Sequence, residues 1–205
     1  MTVSVWDLLL YAGGMAALWV VPGPVWVALT ARALTGGFAS AWPLAVGVAM
    51  GDAAWPLAAI FGLTWILSVY GGFLDALQWV AALIFVIMGL MLLRKSGEVS
   101  ADSRLTKPGR LAGFVTGVAV VIGNPKAILF YMGMLPGFFD LSRLNGWDIA
   151  AILAVSAAIP MIGNLSLALF IDRARALLAS PASIRRINMV SGGLLIAVGA
   201  VIALT

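Results

Sequence analysis

Long stretches without a charged residue recur along the chain, and the charges gather in the gaps between them. Residues 8–31 form the first stretch, bounded by Asp7 and Arg32. Residues 33–74 carry one charge, Asp52, and residues 111–139 carry one, Lys126. Residues 76–93, 149–171 and 187–205 carry none. A helix of roughly 20 apolar residues crosses a hydrocarbon core. The pattern therefore predicts six transmembrane helices, over 5–31, 40–67, 74–93, 111–138, 148–171 and 187–204. No basic segment precedes the first, so 5–31 reads as a retained span and not as a cleaved signal.

Only one connector is long. Residues 94–110 read RKSGEVSADSRLTKPGR and divide the chain into two units of three helices, 1–93 and 111–205. The remaining loops are short and hold Gly36-Gly37, Gly71-Gly72, Asn145-Gly146 and Ser180-Pro181. No soluble domain fits between spans, so the function belongs to the bilayer.

Composition sharpens this. Hydrophobic residues make up 63% of the 205 and charged residues 10%, where a soluble domain carries roughly 25% charged. Mean hydropathy is +1.10. A soluble fold of this size cannot hide so much apolar surface. Cysteine and histidine are both absent. That excludes disulfides, the usual zinc sites and every catalytic constellation built on a His or Cys base or nucleophile. Neither an enzyme nor a cofactor is expected.

The net charge of +4 fits a basic cytoplasmic face better than a nucleic-acid partner. In a six-helix chain, the loops after helices 1, 3 and 5 share one side. They hold ten basic residues: Arg32, five in 94–110, and Arg173, Arg175, Arg185 and Arg186. The opposite side holds Arg143. The positive-inside rule then places the long loop in the cytoplasm and both termini outside, in a multi-pass membrane protein.

The chain also resembles itself. At an offset of 101, Val20-Val21-Pro22-Gly23-Pro24 lies over Val121-Ile122-Gly123-Asn124-Pro125. Leu34, Gly36 and Phe38 lie over Leu135, Gly137 and Phe139. Two related units of three helices must insert with opposite topology. Inverted repeats with broken helices and a site near the midplane describe many secondary transporters.

The candidate chemistry lies at the breaks. Pro22 and Pro24 remove two backbone donors and Gly23 adds freedom between them, so helix 1 should break there. Asn124-Pro125 is the equivalent in helix 4. Unwound backbone at membrane depth is tolerated where protein buries it or a wet cavity adjoins it. Away from the span ends, Asp52 is the lone carboxylate inside a predicted span. A charge there costs at least ~2.5–3.5 kcal/mol on insertion scales, so Asp52 reads as a proton carrier or a ligand for a cation, or else as a structural ion pair. Lys126 is the lone cation inside a span and follows the second break directly, where it could bind an anionic group or pair with Asp52. Tyr131 and Asn164 are further polar candidates. Gly47 and Gly51, and Gly113 and Gly117, stand at a spacing that lets helices approach closely, within the chain or in a homodimer. Trp6, Trp42 and Trp147 lie near span ends, and Trp26 and Trp55 lie deeper.

Together these residues resemble the lysine exporter (LysE/RhtB) family of bacterial amino acid exporters. The matching pieces are Pro22-Gly23-Pro24, the glycine-rich second helix with Gly47 and Gly51-Asp52, Asn124-Pro125-Lys126-Ala127, and LFYMGMLPGFF. The resemblance implies efflux of amino acids or related small metabolites, driven by the membrane's ion gradient. Val25 stands where the family commonly has Asn or Asp, which points away from a strongly basic substrate. The expected protein is an exporter of a small amino acid by proton antiport. Its substrate would contact Pro22, Gly23, Pro24, Asp52, Asn124, Pro125, Lys126, Tyr131 and Asn164, with Asp52 as the proton site. A metal-ion exporter of similar plan and a non-transporting membrane scaffold are the alternatives.

Overall fold

A computed structural model describes residues 2–63 and 109–174, with scattered positions between 79 and 94 and between 180 and 200. Among the described residues every regular element is a helix. Helix α1 (Val5–Val20) starts at a capping box: the Ser4 hydroxyl accepts from the Asp7 amide, and the Asp7 carboxylate accepts from the Ser4 amide. It ends where proline stops the backbone ladder. The chain runs extended through Gly23 and re-enters helix at Pro24, the first residue of α2 (Pro24–Ala58). Proline suits that position, because the first turn of a helix needs no N–H donor.

Helix α2 has a corner. Gly37 sits at φ 67°, ψ −169°, inside an otherwise helical run, and only glycine adopts such a backbone without strain. The corner divides α2 into arms over 24–36 and 38–58. A π turn, Ala59–Leu63, continues the second arm.

Helix α3 (Arg110–Ile122) stops at Gly123, and α4 (Pro125–Leu129) again opens on proline. The Asn124 side chain accepts from the Lys126 amide and caps α4. A π turn (Phe130–Met134) joins α4 to α5 (Leu135–Phe138). A 3-10 turn (Leu141–Arg143) leads to α6 (Gly146–Arg173), which starts on a second capping box between Asn145 and Asp148.

Helix α2 is the centre of the packing and lies along both α3 and α6, while α1 lies against α6. The contact between α2 and α3 is backbone on backbone. A Cβ on Gly47 would stand 2.1 Å from the Phe114 carbonyl oxygen, and one on Gly117 would stand 2.2 Å from that of Leu44. Gly51 presses on the Val121 side chain. Gly47, Gly51 and Gly117 thus meet partners within the chain itself.

Among the described residues two helices, Pro24–Gly62 and Gly146–Arg173, are long and apolar enough to cross a membrane. The pair Arg110–Ile122 and Lys126–Phe138, bent by 52°, makes a third if read as one broken span. The first expected span, 5–31, is divided at 21–23 and its second part runs on to the Gly37 corner. Expected helices 74–93 and 187–204 lie outside the described residues, apart from scattered positions.

Candidate functional site

In an unbroken helix each carbonyl accepts from the amide four residues on. The amide that should serve Leu18 belongs to Pro22, which has none. Lys126 supplies the missing donor from the other half of the chain. Its Nζ donates to the Leu18 carbonyl at 2.8 Å and also to that of Val21. Its aliphatic stem lies over Gly23, with Cε and Nζ both 3.6 Å from where a Cβ would stand. Lys126 is buried, at 6% exposure. The cation expected to face a substrate anion is thus held by the end of α1.

The second break follows the same logic. Val121 should receive the amide of residue 125, which is again proline. Its carbonyl accepts instead from the Asn124 amide at 3.1 Å and from Trp55 Nε1 at 3.3 Å. Trp26 does similar work at the first break, donating from Nε1 to the Trp19 carbonyl at 2.8 Å. The two deep tryptophans therefore serve the broken ends, a role that their indole N–H made available.

Asp52 lies on the second arm of α2 and is buried, at 7% exposure. The Tyr131 hydroxyl points at its Oδ1 from 3.5 Å. Asp52 and Lys126 interact electrostatically, yet among the described residues no direct ion pair joins them. Tyr131 belongs to the π turn that begins at Phe130; such turns are frequent at functional sites because they redirect side chains.

Behind Tyr131 lies a group of hydroxyls that the sequence reading missed. Tyr11 of α1 and Ser156 of α6 share a hydrogen bond of 2.6 Å, and Ser156 also donates to the Ile152 carbonyl at 2.7 Å. Tyr11 and Tyr131 interact with each other and with the Asp52 charge. The Tyr11 ring is fixed among Phe130, Phe138 and Phe139, at centroid distances of 5.9, 5.6 and 5.2 Å. The available signal was a tyrosine and a serine inside charge-free runs, where polar groups need partners.

Asn164 stands on α6 opposite the end of α1. Its Oδ1 accepts from Trp19 Nε1 at 3.0 Å, and its Nδ2, buried, has no hydrogen-bond partner among the described residues. Trp19 lies directly on Gly163, where a Cβ would come within 2.6 Å of the indole. The structure thus gathers Lys126 with Pro22–Pro24, Asn124 and Asp52 with Tyr131, and sets Asn164 beside Trp19 at the same end of α1.

Arg32 was expected in a cytoplasmic loop. It is buried at 1% exposure, because α2 runs past it to the Gly37 corner. Its Nε donates to the Ser40 carbonyl across that corner at 2.9 Å, and Nη2 donates to the Gly109 carbonyl at 3.3 Å.

Buried charges gathered where proline breaks the helices are what a membrane protein would use to handle a polar solute within a lipid environment. Residues 16–205 match the family described as LysE type translocator, and the chain belongs to that family. It is 27% identical to an uncharacterized membrane protein of Synechocystis sp., over 94% of this chain and 93% of that one. It is also 25% identical to an uncharacterized membrane protein of Vibrio cholerae, over 62% of each. No solved structure matches the chain.

Proposed function

We propose that this translocator exports a small zwitterionic amino acid or derivative from the cytoplasm across the bacterial inner (plasma) membrane, by antiport with protons. The observation that carries the reading is Asp52: a buried carboxylate with no direct ion pair among the described residues, facing a tyrosine hydroxyl and within the field of Lys126. A carboxylate so placed can gain and lose a proton as access alternates. The buried Nδ2 of Asn164, without a hydrogen-bond partner among the described residues, adds a donor for a substrate oxygen.

Two matched breaks support an inverted-repeat architecture of two units, 1–93 and 111–205, joined by a cytoplasmic loop at 94–110. Each break is followed by a half-helix that opens on proline, at Pro24 and at Pro125. The N-terminal amides of the half-helix at Pro125 favour an anion, and the carbonyls ending α1 favour a cation. A zwitterion satisfies both. Its carboxylate lies toward Asn124, Lys126 and Asn164, and its ammonium toward Asp52 and the backbone at Pro22–Pro24. Protons reach Asp52 beside Tyr131.

Reconstitution into liposomes with a panel of labelled amino acids tests the proposal. Uptake into inside-acidic vesicles that collapses with the pH gradient is expected for at least one neutral amino acid. Absence of flux for the whole panel, or flux indifferent to the gradient, contradicts it.

A further inference from the structure

We infer that the end of α1 is a binding site for a primary ammonium group, and that the Lys126 side chain occupies it as a built-in competitor. Three features make the site. The carbonyls of Leu18 and Val21 are released from the helix ladder by the break and point at one ammonium. Gly23 leaves the floor open beneath the lysine stem, and the two are in van der Waals contact. The buried Asp52 carboxylate supplies negative charge through space without closing an ion pair.

An ammonium held by two carbonyls near a carboxylate is bound as a ligand is bound. What differs is the tether, which joins it to α4. A free ligand with the same head group can take its place when the lysine moves aside. The displaced Lys126 ammonium is then available to the carboxylate of an incoming zwitterion. The exchange costs little in charge, because one cation replaces another in the cradle and the released cation finds an anion. The site selects for an –NH3+ head. A quaternary ammonium offers no N–H donors to the two carbonyls, and an N-acylated amine offers neither the charge nor the number of donors. That the transported substrate uses the site rests on the export reading above; the ammonium site itself rests on geometry.

Lys126→Ala empties the cradle and provides the test. Purified wild type and Lys126→Ala are titrated with ethylammonium and with tetramethylammonium, and melting temperature is read. Ethylammonium should raise the Tm of Lys126→Ala saturably, at concentrations at least tenfold below any effect on wild type. Tetramethylammonium should do nothing to either. If Lys126→Ala folds only when ethylammonium is present, the inference is supported in its strongest form. Lys126→Gln retains N–H donors for the two carbonyls and covers poor folding of the alanine variant; the same selectivity is expected there at weaker affinity. Equal responses to the two cations, or no response in either variant, overturn the inference. Amino acid export by a protein whose variants ignore ethylammonium removes this site and leaves the export reading standing. Ethylammonium binding in a protein that moves no amino acid keeps the site and removes the export reading.

Discussion

The Tyr131 hydroxyl lies 3.5 Å from Oδ1 of Asp52, at the outer limit of hydrogen bonding. At that length the contact contributes little to the state described here, and it can tighten when the surroundings of Asp52 change. Tyr131→Phe, which also removes the hydroxyl from Tyr11 and Ser156, should cost about 0.5–1.5 kcal/mol of stability while slowing gradient-driven transport several-fold. Thermal unfolding in detergent and flux in proteoliposomes separate the two effects. Transport at the wild-type rate would show that the hydroxyl has no part in handling the proton.

The glycine contact between α2 and α3 makes a sharp stability prediction. Gly117→Ala drives a Cβ to 2.2 Å from the Leu44 carbonyl oxygen and 2.9 Å from the Val48 amide nitrogen, both backbone atoms. The helices must separate, at a cost of about 1–3 kcal/mol or more. Gly13→Ala is the control, because nothing lies within 4 Å of its new Cβ. Alanine there should be neutral or stabilising, by up to ~1 kcal/mol from helix propensity. Equal Tm changes in the two variants would mean that the close approach is not maintained in the bilayer.

Asp148 ties the beginning of the chain to α6. Its carboxylate accepts from the Thr2 amide at 3.0 Å, the Thr2 hydroxyl at 2.7 Å, the Val3 amide at 3.1 Å and the Asn145 amide at 3.0 Å. Asp148→Asn removes the charge and leaves at least one of these donors facing an NH2 group. A destabilisation of about 1.5–3 kcal/mol is expected, with faster amide exchange at Thr2 and Val3. Unchanged exchange at those amides would contradict the anchoring role.

Proline and glycine made the breaks legible in the sequence, because a missing N–H is a local property. Pro22–Pro24, Asn124-Pro125 and the Gly36-Gly37 turn all fall where the chain departs from straight helix. What the broken ends do next was not legible. The partner of the Leu18 carbonyl is 108 positions away, and no local pattern names it. Lys126 was read as a cation for a substrate anion or for Asp52, because its charge is visible in the sequence and its acceptors, being backbone, are not. Arg32 was misread for a related reason. A charge ending an apolar run looks like a loop residue, unless the helix continues past it and folds over it. The Tyr11–Ser156 bond likewise joins two residues that each look ordinary alone.

Topology is the next prediction. Arg32 is buried at the Gly37 corner and leaves nine basic residues for the expected cytoplasmic loops against Arg143 on the other side. The bias still orients the chain. Reporter fusions should find residue 100 in the cytoplasm and the C-terminus outside. An external residue 100 would reverse the orientation. A cytoplasmic C-terminus with a cytoplasmic residue 100 would change the number of spans.

The proton-carrier role of Asp52 is tested most sharply by two fluxes in proteoliposomes carrying Asp52→Asn. One is amino acid accumulation driven by an imposed pH gradient, and the other is exchange of labelled for unlabelled amino acid at equal pH. The amide retains the size of the carboxylate and its acceptor oxygen but cannot cycle a proton. Accumulation should be lost while exchange remains measurable, since exchange moves no net proton. Accumulation at the wild-type rate would contradict that role and leave Asp52 a structural residue.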